Sequence, residues 1–281
     1  MTVWAHLVGL CASEAPPGAR RRRKAALGEV PTQRGRAPDA QRPVRPTGPR
    51  QRGVQVGPLW VVRRAGEGRP LVLLHGNGES HRKFDRLVRR LPGRDLVGVD
   101  SRGHGGSPRG AEALTIAAMA DDLAATLALL GLHDVDVLGY SDGGNIALEL
   151  AVRHPGVAHR LLVVGANLFP EGLKAAEQHL VRVGYRVLTT ASRLVRPLRI
   201  WAERWSLMAE GPYIDPADLA AVTVPVLVLV GERDAVDPAH TDLIVASLPD
   251  ARLVVLPGAR HTIPTSRPDD LARLVEEFFT G

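Results

Sequence analysis

Residues 139–144 read GYSDGG, a serine between glycines with a carboxylate directly after it. A free serine hydroxyl is a poor nucleophile; it needs a general base and an exposed position. The spacing Gly139-x-Ser141-x-Gly143 fits a sharp strand-to-helix turn, in which side chains at the flanking positions would clash. Three other segments could complete an acyl-transfer site. HGNG at 75–78 ends an apolar run, and backbone N–H groups there can face a developing oxyanion. The donors expected are those of Asn77 and Asp142. GERDAVDP at 231–238 offers two acids. Asp234 lies at the end of a strand-like run and is preferred, whereas Asp237 precedes Pro238 and reads as a helix start. PGARHT supplies His261, the one histidine of ten that follows the last apolar run, downstream of the acid. In these roles His261 takes the proton of Ser141 and returns it to the leaving group, while Asp234 fixes the imidazole tautomer. The bland alternative is a glycine-rich turn that merely caps a helix. His75 and His104 sit in glycine-rich turns, where hydrogen bonding to loop backbone is the simpler reading.

Those residues need a scaffold, and the hydrophobic pattern supplies one. VQV and LWVVRR are short β-rich runs from Val54 onward, and Gly66-Glu67-Gly68 reads as a hairpin turn into LVLLHG at 71–76. DLVGVD at 95–100, VDVLGY at 135–140, RLLVVGA at 160–166, VPVLVLVG at 224–231 and RLVVLPG near 252–258 read as further strands. Helical periods occupy 80–91, about 116–130, 145–154, 239–248 and 268–279. Strands alternating with helices imply an α/β fold with a mostly parallel sheet covered on both faces. Residues 167–221 break the alternation with helix-like stretches at 173–183, 185–195 and 198–209. They read as a helical cap over the carboxyl edge of the sheet, where open α/β sheets bind ligands. Trp201 and Trp205, four apart, share a helix face and are expected to pack the cap on the body. The seven Lys or Arg of this segment read as solvated helix faces.

From LVLLHG to the C-terminus the chain resembles the α/β-hydrolase fold superfamily. The resemblance rests on HGNG, on DSRGHGGS at 100–107, on the GYSDGG elbow, and on the chain order Ser141, Asp234, His261. It implies an eight-stranded, mostly parallel sheet with helices on both faces and a small helical cap, and a cofactor-independent serine hydrolase. Asp100 and Arg102 are scaffold residues in that pattern. Epoxide hydrolases and dehalogenases of the superfamily carry aspartate at the nucleophile position, and Ser141 argues against both. GYSDGG together with GANLFPEG at 165–172 is most similar to the biphenyl-hydrolase-like group that includes valacyclovir hydrolase. In that group the aspartate after the nucleophile is implicated in recognising a substrate α-amino group, which makes Asp142 a candidate substrate contact. A carboxylate beside an acyl site attracts an ammonium near the scissile carbonyl. An acid in the first turn of a helix is also stabilised by the macrodipole without any ligand.

Composition narrows the rest. The formal charge is +6, but residues 1–52 hold eleven Lys or Arg against three acids, which is +8, and the remainder sums to −2. Basic character therefore belongs to an Arg/Pro/Gly-rich tail, expected to be disordered. The expected organisation is tail 1–52, core 53–166 with 222–281, and cap 167–221. Nucleic-acid binding, if any, would be nonspecific and confined to the tail. Cys11 is the only cysteine, so no intrachain disulfide can form. No run is long and apolar enough to span a membrane, no membrane partner is expected, and the location expected is cytoplasmic. No phosphate loop, dinucleotide fingerprint or metal cluster is apparent, so no cofactor and no metal are expected. The leading function is hydrolysis of a small-molecule carboxylic ester, with an α-amino acid ester as its sharper form. A carbon–carbon hydrolase or lactonase could use the same triad, and a ligand-binding receptor could keep the fold. Oligomeric state is open.

Overall fold

The computed structural model describes residues 53–280. The expected tail at 1–52 lies outside the described residues.

Eight strands form one sheet: β1 (Val54–Val56), β2 (Leu59–Arg64), β3 (Glu67–Leu74), β4 (Arg94–Asp100), β5 (Val135–Tyr140), β6 (Ala158–Val164), β7 (Val226–Arg233) and β8 (Ala251–Arg260). Their order is β1-β2-β4-β3-β5-β6-β7-β8. The β1–β2 and β2–β4 pairs are antiparallel and all others parallel. The apolar runs make the central strands because a strand packed on both faces needs no polar alternation. Along each of them the residues divide between two cores. Val72, Leu74, Val97, Val99, Val137, Val163 and Val228 face helices α1 (Ile116–Leu129) and α2 (Asp142–Arg153). Leu71, Leu73, Leu96, Leu138, Leu162 and Leu229 face the C-terminal helix, Pro268–Thr280, through Leu271, Leu274, Val275 and Phe279.

Three local expectations are corrected. Gly66-Glu67-Gly68 is not a hairpin turn, because β2 pairs with β4 and β3 lies on the far side of β4. The LVLL run is fully buried and needs neighbours on both edges, while β2 keeps only Leu59 and Val61 buried and suits the margin. Residues 80–91 do not form one helix. A 3-10 turn, His81–Phe84, runs into a single α turn, Asp85–Val88, with Phe84, Leu87 and Leu91 still buried at the periodic positions. The tight start follows from His81, whose N–H and ring Nδ1 both donate to Asp100. Finally, the stretches 173–183 and 185–195 join into one helix, α3 (Ala175–Ser192). Gly184 does not break it. A Cβ there would lie 2.0 Å from the Trp205 ring, so the glycine lets α4 (Arg199–Ala209) pack closely on α3.

Candidate active site

Ser141 stands between β5 and α2 with φ 55° and ψ −122°. A non-glycine residue there costs on the order of 1–3 kcal/mol and persists only where its surroundings over-determine it. They do so here. The Ser141 N–H donates to Val164 O at 2.8 Å, and Ser141 O accepts from Gly144 N at 2.7 Å and Asn145 N at 3.1 Å. Glycine is required beside it. A Cβ on Gly139 would fall 2.2 Å from Gly143 O, and one on Gly143 would fall 2.1 Å from Leu74 O. Both obstacles are backbone and cannot swing aside. Gly143→Ala is expected to destabilise the fold by about 3 kcal/mol or more, the upper range for overpacking. Urea denaturation measures this; an unchanged midpoint would mean that the elbow yields.

The other two residues converge on Ser141 from the ends of β7 and β8. His261 Nε2 lies 3.1 Å from Ser141 Oγ, and His261 Nδ1 lies 2.7 Å from Asp234 Oδ1. Asp234 also accepts from the N–H groups of Gly231 and Val236, at 3.0 and 3.3 Å. Its burial raises the carboxyl pKa, but His261 and the two N–H donors outweigh this and hold it below the ordinary value. Burial pushes His261 down, and Asp234 overcomes that through charge and hydrogen bond, so its net shift is upward. Asp237 does not join this group. Its carboxylate accepts from Ala239 N and caps the helix Pro238–Ser247, as its place before Pro238 implies.

Asn77 and Asp142 are adjacent across the elbow. Asp142 is the first residue of α2, so its N–H has no intrahelical acceptor and is available to a ligand. The two side chains are joined as well. Asn77 Nδ2 donates to Asp142 Oδ2 at 2.9 Å and to Arg204 O of α4 at 2.6 Å. The two expected oxyanion donors are thus tied to each other and to the helical insertion. Arg204 in turn donates to Gly103 O and lies 4.9 Å from the Trp201 ring centroid. Asp142 is buried, and burial raises its pKa to about 6 against the lowering by Asn77 and His261.

A sequence model of the alpha/beta hydrolase fold matches residues 69–198. The AB hydrolase superfamily protein YisY of Bacillus subtilis is 30% identical over 210 residues, spanning 63% of this chain and 78% of its own length. A pimeloyl-(acyl-carrier protein) methyl ester esterase of Neisseria meningitidis serogroup B is 31% identical over 242 residues, 74% of this chain and 92% of that one. The chain belongs to the α/β-hydrolase family. Solved structures agree on the fold of this α/β hydrolase. A thermophilic esterase from Thermogutta terrifontis superposes with TM-score 0.65 at 22% identity, covering 82% of this chain and 98% of that one. A proline iminopeptidase from Mycobacterium smegmatis does so with TM-score 0.63 at 23% identity, covering 82% and 97%.

The remaining polar residues of the hydrolase explain the loops. His75 Nδ1 donates to Gly76 O, and its Nε2 accepts from Ser101 N. His104 Nδ1 donates to Arg102 O, and burial drives its pKa down to about 3. Both are neutral braces of loop backbone, not bases. Asp100 accepts from His81 and Gly106, and Arg102 clamps Asp122 with two bonds of 2.5 and 2.6 Å. Sequence reasoning missed Glu79 and Lys83. Their ion pair is 2.5 Å long and buried, Glu79 also accepts from Gly76 N, and Lys83 lies 4.6 Å over the Tyr140 ring. Their spacing of four was the available signal, but it stands among Arg82, Asp85, Arg86, Arg89 and Arg90, so nothing in the local pattern sets this pair apart. Among the described residues no cluster of His, Cys, Asp and Glu is placed to hold a metal ion.

Proposed function

We propose that this α/β hydrolase is a serine hydrolase that cleaves carboxylic esters through an acyl-enzyme. The observation that carries the reading is the unbroken Asp234–His261–Ser141 hydrogen-bond chain. His261 accepts the Ser141 proton as Oγ attacks the ester carbonyl, and Asp234 stabilises the imidazolium. The carbonyl oxygen becomes an anion facing the N–H groups of Asn77 and Asp142. Collapse expels the alcohol, which takes its proton from His261. Water then attacks the acyl-enzyme by the same route and releases the acid. Related proteins named as ester hydrolases at 30–31% identity support an ester over a carbon–carbon bond or a lactone. The test is a screen of p-nitrophenyl esters beside amino-acid esters, with fluorophosphonate labelling to locate the nucleophile.

The sharper substrate reading is an α-amino acid ester. It is favoured by the Asp142 carboxylate, which is buried and has no ion-pair partner among the described residues. A substrate ammonium would supply the missing cation.

The shift of His261 sets a pH dependence. As general base it acts only when neutral, so activity should rise with pH through an inflection above 6.5, its ordinary value. A kcat/KM profile on a neutral ester checks this. A profile flat across neutral pH would count against His261 as the base.

A further inference from the structure

Between Glu177 and Glu203 the insertion carries five arginines and no acid: Arg182, Arg186, Arg193, Arg196 and Arg199. All five are exposed. Arg182 reaches Gln178 and Glu171, at 3.3 and 3.8 Å. The other four have neither an ion pair nor a side-chain hydrogen bond among the described residues. Aliphatic side chains stand among them. Val183 is 43% exposed, Val187 60%, Leu194 90% and Val195 48%. The pairs 182/183 and 186/187 recur four apart on α3, and the stripe continues into the turn at 193–196. The opposite side of α3 presents buried Val181 and the glycine packed on Trp205. The outer face is therefore not needed to hold the insertion together.

Solvation explains exposed arginines but not a row of exposed aliphatic residues between them. A second copy of the chain docked through the same face would set five guanidinium groups against five. Residues 1–52 carry +8 and would be repelled as well. The charge requires an anionic partner. Among the described residues, none of those exposed on this face is aromatic, the residue class that anchors many protein interfaces. Aliphatic tips alternating with long cationic stems suit a bilayer boundary, where the tips enter and the guanidinium groups reach headgroup phosphates.

We propose that this outer face of the insertion docks the enzyme peripherally on an anionic lipid surface. It runs against the sequence expectation of no membrane partner; among the described residues no helix is long and apolar enough to cross a membrane, and peripheral docking needs none. It does not rest on the esterase reading. The position is suited to use, because α4, the other helix of the insertion, bonds to Asn77 beside Ser141.

The test is flotation of the full-length protein with vesicles of phosphatidylcholine, alone or mixed with phosphatidylglycerol. Binding is expected only to the mixed vesicles and should weaken as salt rises. Replacing Arg193, Arg196 and Arg199 together by glutamine should weaken it about a hundredfold, since each arginine near such a surface adds roughly fivefold. Leu194→Asn, which keeps every charge, should also weaken it several-fold. Unchanged thermal melting of both variants shows that the fold persists. No binding to mixed vesicles overturns the proposal. So does binding that neither variant reduces, which would place the contact in residues 1–52. Loss with the arginine variant alone, together with capture of an acidic protein, would make the face a protein interface instead.

Discussion

Ser141→Ala is expected to abolish fluorophosphonate labelling and to lower kcat for a p-nitrophenyl ester on the order of 10⁵-fold, as when a member of such a triad is removed. The loss should come without unfolding. Alanine meets the same backbone constraint at φ 55°, and the bonds that hold the elbow are made by main-chain atoms. Thermal melting should therefore move little. His261→Ala should lose about as much activity, and the double variant little more than either, because the two side chains act as one unit. Residual rate over water would come from binding and from the N–H groups of Asn77 and Asp142. Two results would sink the assignment: labelling that persists at another of the nine serines, or a turnover loss below about tenfold. Additive losses in the double variant would show that His261 serves some step other than activation of Ser141.

Legibility in the sequence followed the range of the forces involved. Strands β4 to β7 and the LVLL half of β3 were readable because burial on both faces leaves a continuous apolar run, which is a local property; β8, half-exposed at the sheet margin, showed through its apolar run alone. Which strands become neighbours is not local. The glycines at 66 and 68 suggest a turn, but Gly68, with φ +77°, lies within β3 where its register against β4 shifts, and β3 sits beyond β4. The expected stretches 173–183 and 185–195 part at Gly184, and glycine on its own weakens a helix. Its role became visible only with Trp205 of the neighbouring helix in place. The same division runs through the site. Ser141, Asp234 and His261 each end a strand in a recognisable motif, and the structure brings the three within hydrogen-bonding distance. The tie from Asn77 to Arg204 spans 127 positions and joins a side chain to a main-chain carbonyl, so no residue type at 204 announces it. Nor does the sequence say that Asp142 would be buried and bonded to Asn77, which changes the meaning of its charge.

Asp142→Asn should separate the two meanings of that charge. The amide keeps the backbone N–H of residue 142 and can still accept from Asn77 Nδ2, so the site is altered chiefly by loss of a negative charge. Hydrolysis of a neutral ester should change little or improve, because an anion beside the oxyanion is removed. Hydrolysis of the matching α-amino ester should lose about 1–3 kcal/mol of transition-state stabilisation, the range for a charged hydrogen bond. Both substrates are best compared near pH 7, above the value of about 6 for Asp142, with the substrate amine still largely charged. Stability gives a second readout that needs no substrate. Burial raises the folded-state pKa from 3.8 to about 6, so between these values the folded protein binds more protons than the unfolded chain. Stability from this group is then full below about pH 4 and is lost as pH rises through 6. The ionised carboxylate costs about 3 kcal/mol at neutral pH, because each tenfold gain in proton affinity on folding is worth about 1.4 kcal/mol. Asp142→Asn should accordingly be more stable than the parent, with the gap widening from acid to neutral pH. A carboxylate kept at such a cost is what a cation-binding residue requires before its ligand arrives. If the variant loses the same factor on both esters, Asp142 is a brace for the elbow. The α-amino ester reading would then be wrong, and a general carboxylic ester hydrolase would remain.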